Sequence, residues 1–140
     1  MKYSLVYDNS PKQDDIAKIW AGVSQFARIK RGLEPGIHFA FFIKDENDKI
    51  KGGCSGYMFY GSLYVDLLWV DESLRGQQYG TRLMTAVEKM ARDNNCNFLS
   101  VSTLDFEAPH FYKKLGFYIE FERSGYHKNS IMYFLRKDLI

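Results

Sequence analysis

The residues best suited to chemistry cluster in residues 63–84, which read LYVDLLWVDESLRGQQYGTRLM. An apolar run, residues 63–70, is broken only by Asp66; a polar turn, residues 71–78, follows, and a helical pattern begins near Tyr79. Gly76 and Gly80 lie in and just after the turn, where a missing Cβ lets a bound group approach the backbone. The first N–H groups of a helix have no partner inside it, and with the helix dipole they form an anion site, so a phosphate fits this junction. Arg75 and Arg82 can add charge. Asp66 is the second candidate. A carboxylate inside an apolar strand is desolvated, which raises its pKa toward that of a general base; a buried Asp satisfied by a neighbouring strand is the other reading.

The known anion motifs narrow the choice. The phosphate-binding loop GxxxxGK[ST] and the dinucleotide fingerprint GxGxxG are both absent. Residues 70–81, VDESLRGQQYGT, do resemble the [RQ]xxGx[GA] loop of the GCN5-related N-acetyltransferases (GNAT). In that family the loop grips the pyrophosphate of acetyl-coenzyme A through backbone N–H groups. The loop's middle glycine corresponds to Gln78 here, whose N–H is kept as a donor if φ stays negative. A second block, DFEAPHFYKKLGF at residues 105–117, is similar to the family's NxxAxxFYxKxGF. Asp105 stands where Asn is usual, a change that keeps an N-cap role and adds a charge.

The resemblance implies an acetyltransferase with acetyl-coenzyme A as co-substrate and a primary amine, on a small molecule or a peptide, as acceptor. It assigns the cofactor to Arg75, Gly76, Gln77, Gln78, Tyr79, Gly80 and Thr81 at the loop and to Asp105 in the second block. The pantetheine arm would lie extended along the backbone of Leu68, Trp69 and Val70, where this strand parts from the next. N–H groups there could receive the oxyanion. Tyr112 matches the family tyrosine that commonly protonates the departing thiolate; a phenol of pKa about 10 can serve a thiolate of pKa about 8.5. Core packing with a bonded hydroxyl is the other reading for Tyr112. Asp66, directly or through water, is the candidate base, and Glu72 reads as a solvated turn residue. His127 could face the acceptor or solvent, with His38 and His110 less suited. Neither a metal nor a covalent enzyme intermediate is expected. A non-catalytic acyl-coenzyme A binding or sensing module is the alternative function, and a homodimer is compatible with the resemblance.

These groups need a strand before the turn and a helix after it. Tyr79, Leu83, Val87 and Met90 recur at spacings of three and four and form one helical stripe. Residues 63–70 read as a mid-sheet strand covered on both faces. Upstream, residues 2–7 alternate like a first strand, and Ser10 and Pro11 mark a helix start whose periodicity ends before Gly32. Residues 37–44 and 49–60 join the central strand through short polar turns, which implies an antiparallel meander. Downstream, residues 98–102 form a strand that a right-handed crossover makes parallel to the central one. A short helix over residues 106–115 is capped by Asp105 and ended by Gly116, and residues 117–122 and 130–136 are the last strands. The order is that of the GNAT fold: an α/β (α+β) protein with a mixed, mostly antiparallel sheet of about seven strands, helices on both faces and a splayed parallel pair.

With 140 residues, 46% of them hydrophobic, the chain suits a single domain, residues 1–140, with a full core. Its 19 basic and 17 acidic residues are interspersed, without the clustered basic face of a nucleic-acid binder. The start, MKYSLVYDNS, has no apolar core of a signal peptide, and no segment has the apolar length of a membrane helix. Cys54 and Cys96 lack metal-ligand spacing, so free thiols in a reducing cytoplasm are expected, with neither nucleic acid nor membrane as partner.

Overall fold

A computed structural model describes residues 2–140. It divides into two compact units, one ending at Pro35 and one spanning Gly36–Ile140. In the first unit, helix α1 (Gln13–Arg31) opens with the N–H groups of Asp15 and Ile16 both on the Lys12 carbonyl at 3.1 Å. Gly32, left-handed at φ +66°, ends it by returning its N–H to the Arg28 carbonyl at 2.8 Å. The N-cap is therefore Lys12 rather than Ser10. Residues 2–7 form no strand, against the expectation from their alternation. Alternation supplies only a propensity, and a strand needs a neighbour to complete its ladder.

The second unit holds β1 (Ile37–Lys44), β2 (Ile50–Phe59), β3 (Ser62–Val70), α2 (Tyr79–Asp93), β4 (Phe98–Leu104), α3 (Pro109–Lys114), β5 (Tyr118–Arg123) and β6 (Met132–Asp138). The strands form one sheet in the order β1-β2-β3-β4-β6-β5. It has six strands rather than seven, because residues 2–7 do not contribute one. Only β3 and β4 are parallel; the first three strands form the expected antiparallel meander.

Helix α2 buries Leu83, Met84, Val87 and Ala91, a stripe turned slightly from the expected one, so that Tyr79 and Met90 are only half-buried. They pack with Leu63 and Val65 of β3, Leu99 and Val101 of β4 and Leu135 of β6. Tyr112 of α3 joins the same cluster, so within this unit both helices lie on one face of the sheet. Leu63, Leu99, Leu135, Val65, Val87 and Val101 are each under 2% exposed; at roughly 1.5–3 kcal/mol apiece, they give the strands under the site a stiff base. Lys137 of β6 adds a polar tie, its Nζ lying 2.7 Å from Glu88 Oε1 on α2 and 2.9 Å from the Leu115 carbonyl after α3. Among the described residues no helix is long and apolar enough to cross a membrane.

Strand β3 is irregular in two places. Its parallel pairing with β4 covers only Ser62, Leu63, Tyr64 and Val65, opposite Phe98, Leu99, Ser100 and Val101, after which the strands part. Its pairing with β2 carries a bulge: Ser55 faces Leu67 and Gly56 faces Val65, leaving Asp66 as the extra residue. A Cβ on Gly56 would collide with the Tyr64 carbonyl oxygen, so only glycine lets the strands approach this closely. Beyond the bulge Leu68 and Val70 pack toward the core while Asp66, Leu67 and Trp69 are exposed. The expectation of a strand covered on both faces thus holds only as far as Val65.

Candidate functional site

The bend between β3 and α2 is built by local hydrogen bonds. Asp71 donates its N–H to the Lys51 carbonyl at 2.8 Å, extending the β2–β3 ladder by one bond. Its Oδ2 accepts from the Ser73 hydroxyl and from the Ser73 N–H, the latter at 3.1 Å. The Ser73 bonds, side chain first, hold the Asp71 carboxyl below its ordinary range. After a 3-10 turn over Glu72–Leu74, the Arg75 Nε reaches back to the Val70 carbonyl at 3.4 Å.

Gly76 (φ +80°) and Gln78 (φ +68°) are both left-handed, and Gln77 between them is not. Such alternation turns successive N–H groups into a concave nest that suits an anion. The hydrogen bonds of α2 start with the Arg82 N–H on the Gln78 carbonyl at 3.0 Å. Among the described residues no protein group accepts the N–H of Gly76, Gln77, Gln78, Tyr79, Gly80 or Thr81. Gly80 has a packing role as well, since its Cβ would lie 3.2 Å from Phe111 Cζ, and its absence lets α3 close onto the start of α2.

The positive φ of Gln78 corrects the expectation of a negative one. A left-handed residue with a Cβ carries a strain of about 1–2 kcal/mol that glycine avoids. Gln78→Gly is therefore expected to raise stability by up to about 1 kcal/mol, the relieved strain exceeding the added freedom of the unfolded chain. Thermal melting checks this, and a lowered midpoint would contradict it.

A cavity of about 710 Å³ opens on the bend, lined among others by Leu68, Val70, Gly76, Gln78, Gly80 and Phe111, with Arg75 and Lys114 as its cations. Its volume lies within the range of about 300–1,000 Å³ common for small-molecule sites. A second cavity of about 290 Å³ occupies the gap where β3 leaves β4; Asp66, Ser102, Thr103, Glu107 and Tyr112 line it. Leu68, Glu107 and Ala108 belong to both, so a single cleft runs from the anion nest into the gap. Beyond Val65, the β3 backbone groups that point toward β4 have no ladder partner among the described residues and remain available to an extended ligand.

Tyr112 lies at the inner end of this cleft and is 5% exposed. Its ring packs edge-on against Phe111 at 5.1 Å and Phe117 at 5.7 Å. Among the described residues none bonds its hydroxyl. Burial first, then Cys54 and Glu107, push the phenol up to about 12, so it keeps its proton at neutral pH. The ring is therefore core and the hydroxyl is free, a combination of the two sequence readings.

Three sequence expectations need correction. Asp66 is exposed at the rim of the gap, its Oδ1 accepting from Ser55 Oγ at 2.9 Å; the bulge turns it outward, and the burial expected in an apolar strand does not arise. Asp105 does not cap α3, whose N-cap is Ala108. It clamps the Ile131 backbone instead, donating its N–H to that carbonyl at 2.8 Å and accepting that N–H on Oδ1 at 3.2 Å, and it lines neither cavity. Finally, α3 starts at Pro109 because residues 104–108 close a tight turn first: the Leu104 N–H donates to Glu107 Oε1 at 2.7 Å and the Ala108 N–H to Thr103 Oγ1 at 3.1 Å.

Trp69, Tyr79 and Thr81 line the larger cavity with the other loop residues; Gln77 does not, its Nε2 donating to the Ser73 carbonyl at 3.4 Å. His38, His110 and His127 line neither cavity. Two charged wall residues escaped the sequence reading. Lys114 occupies the Lys position of the FYxKxGF pattern, so the motif itself was its signal, whereas Glu107 falls on an unspecified position and gave none.

Comparison with known proteins bears on this cleft. The model of the acetyltransferase (GNAT) family matches residues 7–117. A blasticidin-S acetyltransferase from Streptomyces morookaense is 34% identical over 102 residues, covering 72% of this chain and 75% of the relative. The crystal structure of an acetyltransferase from Bacillus cereus superposes with a TM-score of 0.77 at 28% identity, over 96% of this chain and 98% of that one. An aminoglycoside 6'-N-acetyltransferase crystallised in complex with coenzyme A shares the fold, with a TM-score of 0.63 and 21% identity over 74% of this chain and 73% of its own.

Proposed function

Because the chain belongs to the acetyltransferase (GNAT) family, we propose that it moves the acetyl group of acetyl-coenzyme A to a primary amine by direct attack, through a tetrahedral intermediate. The observation that carries this reading is the continuous cleft, with unoccupied amides at one end and a free, buried phenol at the other. The relative's action on an antibiotic favours a small-molecule acceptor over a peptide.

In this reading the N–H groups of residues 76–81 receive the diphosphate, with Arg75 and Lys114 supplying charge. The pantetheine arm lies along β3 from Leu68 to Val70 and pairs with the backbone that β4 leaves free. The acceptor reaches the gap as an ammonium and gives a proton to Asp66, directly or through a water. Its neutral nitrogen then forms a C–N bond to the thioester carbonyl, and β3 N–H groups receive the oxyanion; one such donor contributes about 2.7–4 kcal/mol. Collapse breaks the C–S bond as the adduct nitrogen loses its second proton to solvent, and Tyr112 hands its proton to the leaving thiolate, to be reprotonated from solvent. The products are the amide, coenzyme A as thiol and one proton.

The test is thiol release from acetyl-coenzyme A by the purified chain across a panel of amines. Release that depends on the amine is the expected result. Binding of acetyl-coenzyme A with no release for any amine would move the protein to the acyl-coenzyme A binding or sensing reading, and neither binding nor release would contradict both.

A further inference from the structure

We propose that the acceptor carries a second positive charge in addition to its reacting amine, and that Asp66 and Glu107 hold the two ends of such a dication. The inference rests on the acetyl-transfer reading and adds the acceptor's chemical class.

The gap between β3 and β4 has two carboxylates in its wall, Asp66 and Glu107, and no Lys, Arg or His. Among the described residues neither carboxylate takes part in an ion pair. Each accepts a protein hydrogen bond on one oxygen only: Asp66 Oδ1 from Ser55 Oγ at 2.9 Å, Glu107 Oε1 from the Leu104 N–H at 2.7 Å. An ionised carboxylate has about four acceptor positions, so most of this capacity is not filled by protein groups among the described residues. A further unpartnered polar group lines the same gap, the hydroxyl of Tyr112, a residue only 5% exposed. The nest-end cavity has the cations Arg75 and Lys114 in its wall, with Glu107 where the two cavities meet. The cleft is thus polarised, with cations where a diphosphate sits and anions where the acceptor enters.

Transfer to one amine needs one proton acceptor. A monoamine offers charge to only one of the two carboxylates, and the second is left to solvent. A second ammonium or guanidinium on the acceptor supplies that charge. An acceptor bearing a carboxylate instead meets like charge and is excluded. Glu107 lies where the two cavities join and takes the acceptor's second charge, leaving the reacting amine to Asp66.

Three acceptors of similar length that differ in the charge at the far end test this: cadaverine, pentylamine and aminocaproate, each at saturating acetyl-coenzyme A, with cofactor binding followed by thermal shift in the same samples. The expected kcat/KM falls about tenfold from cadaverine to pentylamine and at least as far again to aminocaproate. In Glu107→Gln, whose amide oxygen still accepts the Leu104 N–H, the cadaverine to pentylamine ratio drops toward one; Asp66→Asn, which removes the proton acceptor, lowers kcat/KM for both amines and leaves their ratio near that of the parent. Equal rates for cadaverine and pentylamine, an unchanged ratio in Glu107→Gln, or transfer to other amines of the panel but to none of these three would overturn the dication proposal alone. Absence of cofactor binding would instead remove the acetyl-transfer reading beneath it.

Discussion

Tyr112→Phe is expected to lower the turnover of acetyl transfer about a hundred- to ten-thousand-fold while leaving acetyl-coenzyme A affinity within about twofold. The change removes one oxygen that no described residue bonds, from a ring that stays packed between Phe111 and Phe117. Folding should therefore be little affected, since the hydroxyl has no protein partner among the described residues to lose. Turnover is different, because the thiolate would leave with no proton donor in reach. Burial pushes this phenol up to about 12, so the proton is present throughout the neutral range. Loss of the donor form should not depress the rate until the pH approaches about 12. Steady-state kinetics with a thermal melt alongside checks this, and unchanged turnover would return Tyr112 to a packing role.

Gly56→Ala has the largest expected effect on stability, about 3 kcal/mol or more, or a midpoint lowered by roughly 10 °C. The new methyl would meet the Tyr64 carbonyl oxygen, with Val65 Cα only 3.0 Å away. Both are backbone, so relief requires β2 and β3 to separate rather than a side chain to turn. Separation there undoes the bulge that makes Asp66 the extra residue and turns it to the rim of the gap. Acceptor-dependent turnover should consequently fall further than cofactor affinity, because the amides of residues 76–81 lie beyond the damaged register. A variant that melts like the parent would contradict the packing account.

The bend at residues 75–81 was legible because it is carried by residue type: glycines at fixed spacing before an amphipathic helix constrain the backbone whatever surrounds them. The parallel crossover from β3 to β4 was legible for a similar reason, as chain handedness leaves one arrangement. Asp66 was misread because solvent exposure depends on register, and one extra residue in a strand reverses the facing of all residues after it; Gly56, a glycine inside a strand pattern, was the available warning. Asp105 was misread because the same side-chain oxygen that can cap a helix can equally bond a neighbouring strand, and only the fold puts Ile131 within 3.2 Å of it. Residues 2–7 alternate convincingly, yet alternation does not supply a partner strand. Glu107 enters the cleft through a tight turn that no periodicity announces.

The most direct measurement is a titration of the isotope-labelled chain with acetyl-coenzyme A, followed through its backbone amide resonances. The predicted result is a concerted shift of the Gly76, Gln78, Gly80 and Thr81 amides together with those of Leu68, Trp69 and Val70, while the β1–β2 hairpin turn at residues 45–49 stays still. Shifts confined to other parts of the chain, or none at saturating cofactor, would contradict the assignment of the nest and cleft to this ligand.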